Sequence, residues 1–213
     1  MLLLALDTST PAVTAALHDG TRIVAGSTVV DARRHGELLA PRIATVLAEV
    51  GAQPGDLSDV AVGVGPGPFT GLRVGVVTAL TLSAALGVPV HGICSLDALA
   101  WASGIDGPFG VVTDARRREV YWAAYADRRT RVGTAAVARP GDVAPLLAGR
   151  PVVGPGTELY DFADGQAATL SAGALAEVAV HRMSTGGELL PAYPLYLRRP
   201  DATPPSGRKR VLA

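Results

Sequence analysis

The chain has 213 residues, 48% of them hydrophobic and 18% charged, which is enough apolar material for one large or two small cores and too much for a disordered chain. Lys+Arg and Asp+Glu each number 19, so no net field draws in nucleic acid. The lone cysteine, Cys94, excludes an internal disulfide framework and fits a reducing compartment.

Taken in chain order, residues 2–6 read as a buried strand, 12–18 as its hairpin partner and 22–30 as a third strand. Nothing basic precedes the first run, so it reads as a strand and not as a secretory leader. From His35 to Val50 the apolar residues Leu38, Leu39, Ile43, Val46, Leu47 and Val50 stand near helical spacing. A strand over 59–64, a glycine-rich loop, a helix over 71–86, a strand over 88–93 and a short helix from Ser95 follow, with Ser95 as the expected N-cap. No apolar stretch reads as long enough, at about 18 residues, to span a membrane. A cytoplasmic protein is expected.

After Gly104–Pro108 the pattern restarts. At a constant offset of 107, Asp7 falls on Asp114, Val13 on Val120, Ala16 on Ala123, Arg22 on Arg129 and Gly26 on Gly133. Each copy is a strand ending in Asp, a polar turn, and two more strands. Helical patterns near 140–148 and 171–183 and a short strand at 151–153 complete a shorter second copy, in which Gly154-Pro-Gly156 is the only candidate remnant of the glycine loop. The expected organisation is a first half over 1–103, a reduced second half over 104–200 and a flexible tail over 201–213. Three-strand meanders crossing over to helices, twice, predict a duplicated α/β fold of the actin, sugar-kinase and heat-shock ATPase (ASKHA) type.

Two segments carry candidate chemistry. Asp7-Thr8-Ser9-Thr10 sits where such folds orient a phosphate and its magnesium, although Asp and Thr side chains also cap tight turns. Gly65-Pro-Gly-Pro-Phe-Thr-Gly-Leu-Arg-Val-Gly75 offers free N–H groups at a helix start, with Gly65 and Gly67 as candidate anion contacts beside Asp7, Thr8 and Ser9. The loop lacks the Gly-Lys-Ser/Thr ending of a P-loop and the spacing of a dinucleotide fingerprint, and its glycines equally permit close helix packing. The four histidines, His18, His35, His91 and His181, form no metal-binding spacing, and no GxSxG elbow marks a nucleophile. Arg116-Arg-Arg118 fills the second hairpin turn, where it can meet phosphate or simply be solvated.

These segments, with His35 before Leu38-Leu39-Ala-Pro41, Asp114-Ala-Arg116 before Glu119-Val-Tyr121, and Tyr196-Leu-Arg198, resemble the bacterial TsaB (YeaZ) family over about residues 2–199. The resemblance implies an accessory, non-catalytic subunit of threonylcarbamoyladenosine synthesis on tRNAs reading ANN codons. It would pair with TsaD, a paralogue of the same fold, act with the ATPase TsaE, reach tRNA only through the complex and form a homodimer when alone. It implies no tightly bound cofactor, with ATP or ADP at the subunit boundary. In the catalytic paralogue the segment after the glycine helix carries two metal-ligating histidines four residues apart; here Ser95 and Leu99 hold those positions. The resemblance also places the partner contact on helices 35–50 and 71–86, with His35, Leu38, Leu39, Arg42, Thr70, Arg73, Val74 and Val77 as candidates, and one of Val74 and Val77 facing outward. The alternatives are an active ATPase or kinase holding magnesium–ATP between Asp7 and Asp114, and a metallopeptidase-like hydrolase. With neither a metal ligand set nor a second phosphate loop legible, packing is the expected purpose of the glycine loop.

Overall fold

A computed structural model describes residues 1–198; the expected tail, 201–213, lies outside the described residues. β1 (Leu3–Asp7) is buried along its whole length because it has neighbours on both sides and helices on both faces. It pairs antiparallel with β2 (Ala12–His18), which pairs antiparallel with β3 (Ile23–Val30). On its other side β1 runs parallel to β4 (Asp59–Gly63), which runs parallel to β5 (Val90–Ile93). The parallel links need crossovers, supplied by α1 (His35–Glu49) and α2 (Phe69–Leu86). α3 (Ser95–Ser103) leads out of the first half.

The second sheet repeats this plan. β6 (Phe109–Asp114), β7 (Val120–Asp127) and β8 (Thr130–Ala138) form the meander, and β9 (Val152–Val153) and β10 (Gly165–Gln166) add in parallel beside β6. The first sheet has the order β3-β2-β1-β4-β5 and the second, read from its other edge, β8-β7-β6-β9-β10. The offset of 107 residues seen in the sequence superposes these elements, with Asp7 and Asp114 each closing the first strand of its sheet. This is the duplicated actin-like architecture, and its second half is reduced. In place of α1 stands the four-residue α4 (Pro140–Val143) followed by a 3-10 turn at Ala144–Leu147. The single helix expected over 140–148 breaks there because Pro145 has no N–H to continue the ladder. In place of α2 stands one 3-10 turn, Pro155–Glu158.

α1 and α2 cover the outer face of the first sheet, burying Leu39, Ile43, Val46, Leu72, Val76 and Ala79. α3 and α5 (Ala172–Thr185) fill the space between the sheets, where Leu3, Ile93, Leu99, Phe109, Tyr125 and Leu175 share one core. α2 corrects one sequence expectation: its 18 residues, of mean hydropathy 1.5, do satisfy the length and composition test for a membrane span. Its inner face is nevertheless committed to the sheet through Leu72, Val76 and Ala79.

Two devices join the halves. Asp97 of α3, 5% exposed, accepts bonds from Tyr125 Oη (2.8 Å) and Arg131 Nη1 (3.0 Å) at Oδ1 and from Arg182 Nη2 (2.7 Å) at Oδ2. The segment after α5 then crosses the first half: Leu190 pairs with Gly92, and Leu195 N donates to Val64 O at 2.7 Å. It returns to the second half at Arg198, which donates to Ala115 O and pairs with Glu119. Replacing Asp97 with Ala leaves two half-buried arginines without their carboxylate, so a loss of about 3–5 kcal/mol is expected in urea unfolding. Asp97→Asn removes the charge but keeps two of the bonds, so on the ionic account it should lose nearly as much as Asp97→Ala; a much smaller loss would show that the hydrogen bonds, not the charge, carry the stability.

Candidate functional site: the sealed turn and the cleft between halves

β1 ends in Asp7, and β4 ends beside it in Gly63, where an added Cβ would lie 1.6 Å from Asp7 Oδ2. The chain then passes Gly67, whose Cβ would meet Ser9 O at 2.2 Å. It enters α2 past Gly71 and Gly75, whose Cβ atoms would meet Thr8 O and Thr8 Oγ1, each at 2.6 Å. Glycines four residues apart therefore let one stretch of backbone lie directly on the Asp7–Ser9 turn. The Thr8 hydroxyl donates to Gly71 O (2.7 Å) and accepts from Gly75 N (2.9 Å), a carbonyl and an amide four residues apart in α2. The glycine loop thus packs a helix onto the first turn, as expected from the sequence.

Asp7 is fully buried beneath this contact. Ser9 N donates to Oδ1 (2.6 Å) and Ser95 Oγ to Oδ2 (2.6 Å), while Gly65 N donates to Ser95 Oγ (3.2 Å). Burial drives the Asp7 carboxyl above the usual carboxylate range; the bonds from Ser95 and Ser9 and the His35 charge only partly offset it. Ser95 is accordingly not an N-cap: Cys94 holds that position, and the Ser95 side chain turns to Asp7 instead of the helix. Gly65, Gly67 and Asp7 are all buried, so these three do not serve as open anion contacts; the space in front of their polar groups is filled by protein.

Thr8 and Ser9 do border open space. A cleft of about 460 Å³ lies between the halves, lined by Thr8, Ser9, Thr10, Arg33, His35, Phe69, Thr70 and Val74 on one side and Thr113, Asp114, Arg116 and Leu159 on the other. Asp114 Oδ1 accepts from Arg116 N (2.8 Å) and Tyr160 Oη (3.3 Å), and Oδ2 pairs with Arg116 Nη1 (3.2 Å). The turn is held in an unusual form, with Arg116, Arg117 and Arg118 all left-handed at φ 61°, 55° and 60°. Of the two aspartates that close matching strands, Asp7 is sealed away and Asp114 is paired within its own turn.

The expected partner residues separate into three groups. Thr70, Arg73 and Val77 are exposed. His35, Leu38, Arg42 and Val74 are half-buried, with His35 Nε2 donating to Thr10 O (2.8 Å) and Arg42 Nη1 to Ser27 Oγ (3.3 Å). Leu39 is 1% exposed and is a core residue, which corrects its assignment to the contact surface: it points under α1 at the sheet. Between Val74 and Val77 the outward residue is Val77, 58% exposed. The sequence reading missed the aromatic stack beside them. Arg73 lies 3.8 Å over the Phe69 ring and donates to Tyr196 Oη (3.0 Å), and Phe69 stacks on Tyr196 at 5.4 Å. Its only signal in the sequence was Tyr196, 123 residues from Arg73.

Two halves of one topology around a cleft, with the first turn closed by glycine-mediated packing, define a duplicated actin-like fold. The family model described as "TsaD: tRNA N6-adenosine threonylcarbamoyltransferase" matches residues 29–164. An uncharacterized protein of Mycobacterium tuberculosis is 46% identical over 209 residues, 94% of this chain and 93% of its own length. The tRNA threonylcarbamoyladenosine biosynthesis protein TsaB of Bacillus subtilis is 35% identical over 127 residues, 59% of this chain and 55% of its length. A crystal structure from Pseudomonas aeruginosa, of a protein with similarity to peptidase YEAZ, superposes with a TM-score of 0.80 at 31% identity, covering 92% of this chain and 99% of that one. The chain belongs to the TsaB (YeaZ) family.

Two outcomes test the sealed turn. The native state holds the Asp7 proton more tightly than the unfolded chain, whose reference value is 3.8, so the group's contribution is full below that pH and is lost as pH rises through the raised native value. Asp7→Asn does not titrate, so its stability relative to the parent should climb with pH above about 4; a pH-independent difference in chemical denaturation would refute the assignment. Gly75→Ala places a methyl group against Thr8 Oγ1 and is expected to cost about 1–3 kcal/mol, despite alanine's better helix propensity.

Proposed function

We propose that this chain is the non-catalytic subunit of tRNA threonylcarbamoyladenosine biosynthesis, acting in the cytoplasm by pairing with a TsaD-like paralogue through α1 and α2. The observation that carries the reading is α2 itself. Its inner face is packed on the sheet, yet Phe69, Val77 and Leu80 on the outside are 51%, 58% and 39% exposed, and only five of its 18 residues are fully buried. Arg73 stands among them on the same outward face, over the Phe69 ring, with Thr70 and Thr81 beside it; aromatic and aliphatic side chains interleaved with an arginine have the composition of a protein–protein contact. α1 packs beside it and extends the surface through Ala40, Pro41, Ala44 and Ala48, all exposed. The same surface would self-associate in a homodimer when the paralogue is absent.

The chemistry within reach supports a non-catalytic role. The Cys94 thiol is buried and, chiefly by that burial and then by the Asp97 charge, pushed up to about 12, so it stays protonated and unreactive. Asp7 is likewise sealed, and the paralogue's histidine positions are taken by Ser95 and Leu99, 0% and 1% exposed. In this reading ATP or ADP binds at the boundary with the paralogue, a TsaE-like ATPase joins the complex, and tRNA is reached through the assembly.

The test is co-purification with the TsaD-like paralogue from the same cell, with and without nucleotide. Val77→Arg should leave the melting temperature nearly unchanged but weaken pairing about 100-fold or more, because an unpaired charge is buried in the contact. Val74→Arg should instead damage the fold, since Val74 packs against the core. If Val77→Arg still pairs normally, α2 is not the interface.

A further inference from the structure

We propose that the cleft between the halves binds a small phosphate monoester with an apolar body, without a divalent metal, its head held where the N-termini of α1 and α2 converge. α1 has 15 residues and α2 has 18, and neither has a side-chain N-cap bond. First-turn residues of both border the same space: His35 and Gly36 from one, Phe69, Thr70 and Gly71 from the other. Two uncapped amide clusters with aligned dipoles favour an oxyanion between them.

An independent feature on the opposite wall points to the same ligand. Thr113 lines the cleft, is 3% exposed, and its hydroxyl has no hydrogen-bond partner. An orphaned buried hydroxyl is costly unless something supplies its bond. Arg33 and Arg116 line the cleft from the two halves.

The remaining lining sets the ligand's size and charge. Pro11, Pro68, Phe69, Val74 and Leu159 give apolar walls for the body, and about 460 Å³ suits a ligand of moderate size. Asp114 is paired with Arg116, and Glu158 adds a second negative charge at the cleft that opposes further phosphates. One phosphate therefore fits better than a polyphosphate chain. No metal bridges it, because the Asp7 carboxylate is fully buried and bonded to Ser9 and Ser95.

Titration calorimetry and thermal shift on the full chain in EDTA, with inorganic phosphate and with phenyl phosphate, test the proposal. Both should bind saturably, phenyl phosphate more tightly. Thr113→Val should weaken phenyl phosphate about tenfold while the ligand-free melting temperature stays equal or rises, since the orphan hydroxyl is gone. Arg33→Ala, at an exposed position, should weaken both probes. Absence of saturable binding at millimolar probe, binding only as magnesium–ATP, or unchanged affinity in both variants would overturn it. The measurement uses this chain alone, so a failure of paralogue pairing leaves it unaffected.

Discussion

The structure depends on one close approach, that of the backbone from Gly63 to Gly75 against the turn Asp7–Ser9. At Gly63, Gly67, Gly71 and Gly75 a single Cβ would fall between 1.6 and 2.6 Å from an atom of that turn. Removing those side chains sets how closely β4 and α2 sit against β1. The Thr8 hydroxyl then fastens the contact by serving both Gly71 O and Gly75 N. α2 is therefore placed by backbone contact, and its outward face and the mouth of the cleft are fixed with it.

That constraint divides the fates of two aspartates that the duplication made equivalent. Asp7 and Asp114 end matching strands, yet Asp7 is fully enclosed and its carboxyl raised by desolvation, while Asp114 stands at the cleft beside Arg116. The glycine helix lies on the first turn; in the second half only the 3-10 turn Pro155–Glu158 occupies the corresponding place. Gly154 and Gly156 there approach Val112 of β6, at 2.3 Å and 3.0 Å for an added Cβ, so a vestige of the close packing survives without the helix.

The consequence for function is a division of surfaces. The centre is spent on packing and on the joint between halves made by Asp97, Tyr125, Arg131 and Arg182. The periphery retains the unspent apolar area, on α2 and the aromatic stack at its start. Burying such area is favourable by about 25 cal/mol per Å² removed from water.

The sequence by itself determined the order of the main strands and helices and the repeat at an offset of 107, because strand periodicity and turn residues are local signals; it missed β10 and favoured packing for the glycine loop without excluding an anion site. It placed Val74 and Val77 near the contact but could not orient them, since both lie within the apolar arc of a helix that is apolar nearly all round. Leu39 read as surface and proved to be core for the same reason. Ser95 read as a helix cap because Ser before an apolar run has that local meaning, but its hydroxyl turns to Asp7, 88 residues away. Only the tertiary structure decided that Asp7 is sealed, that Thr113 is orphaned at the cleft and that Tyr196 stacks on Phe69. Each is a contact between segments distant in sequence, set by how the sheets and helices pack.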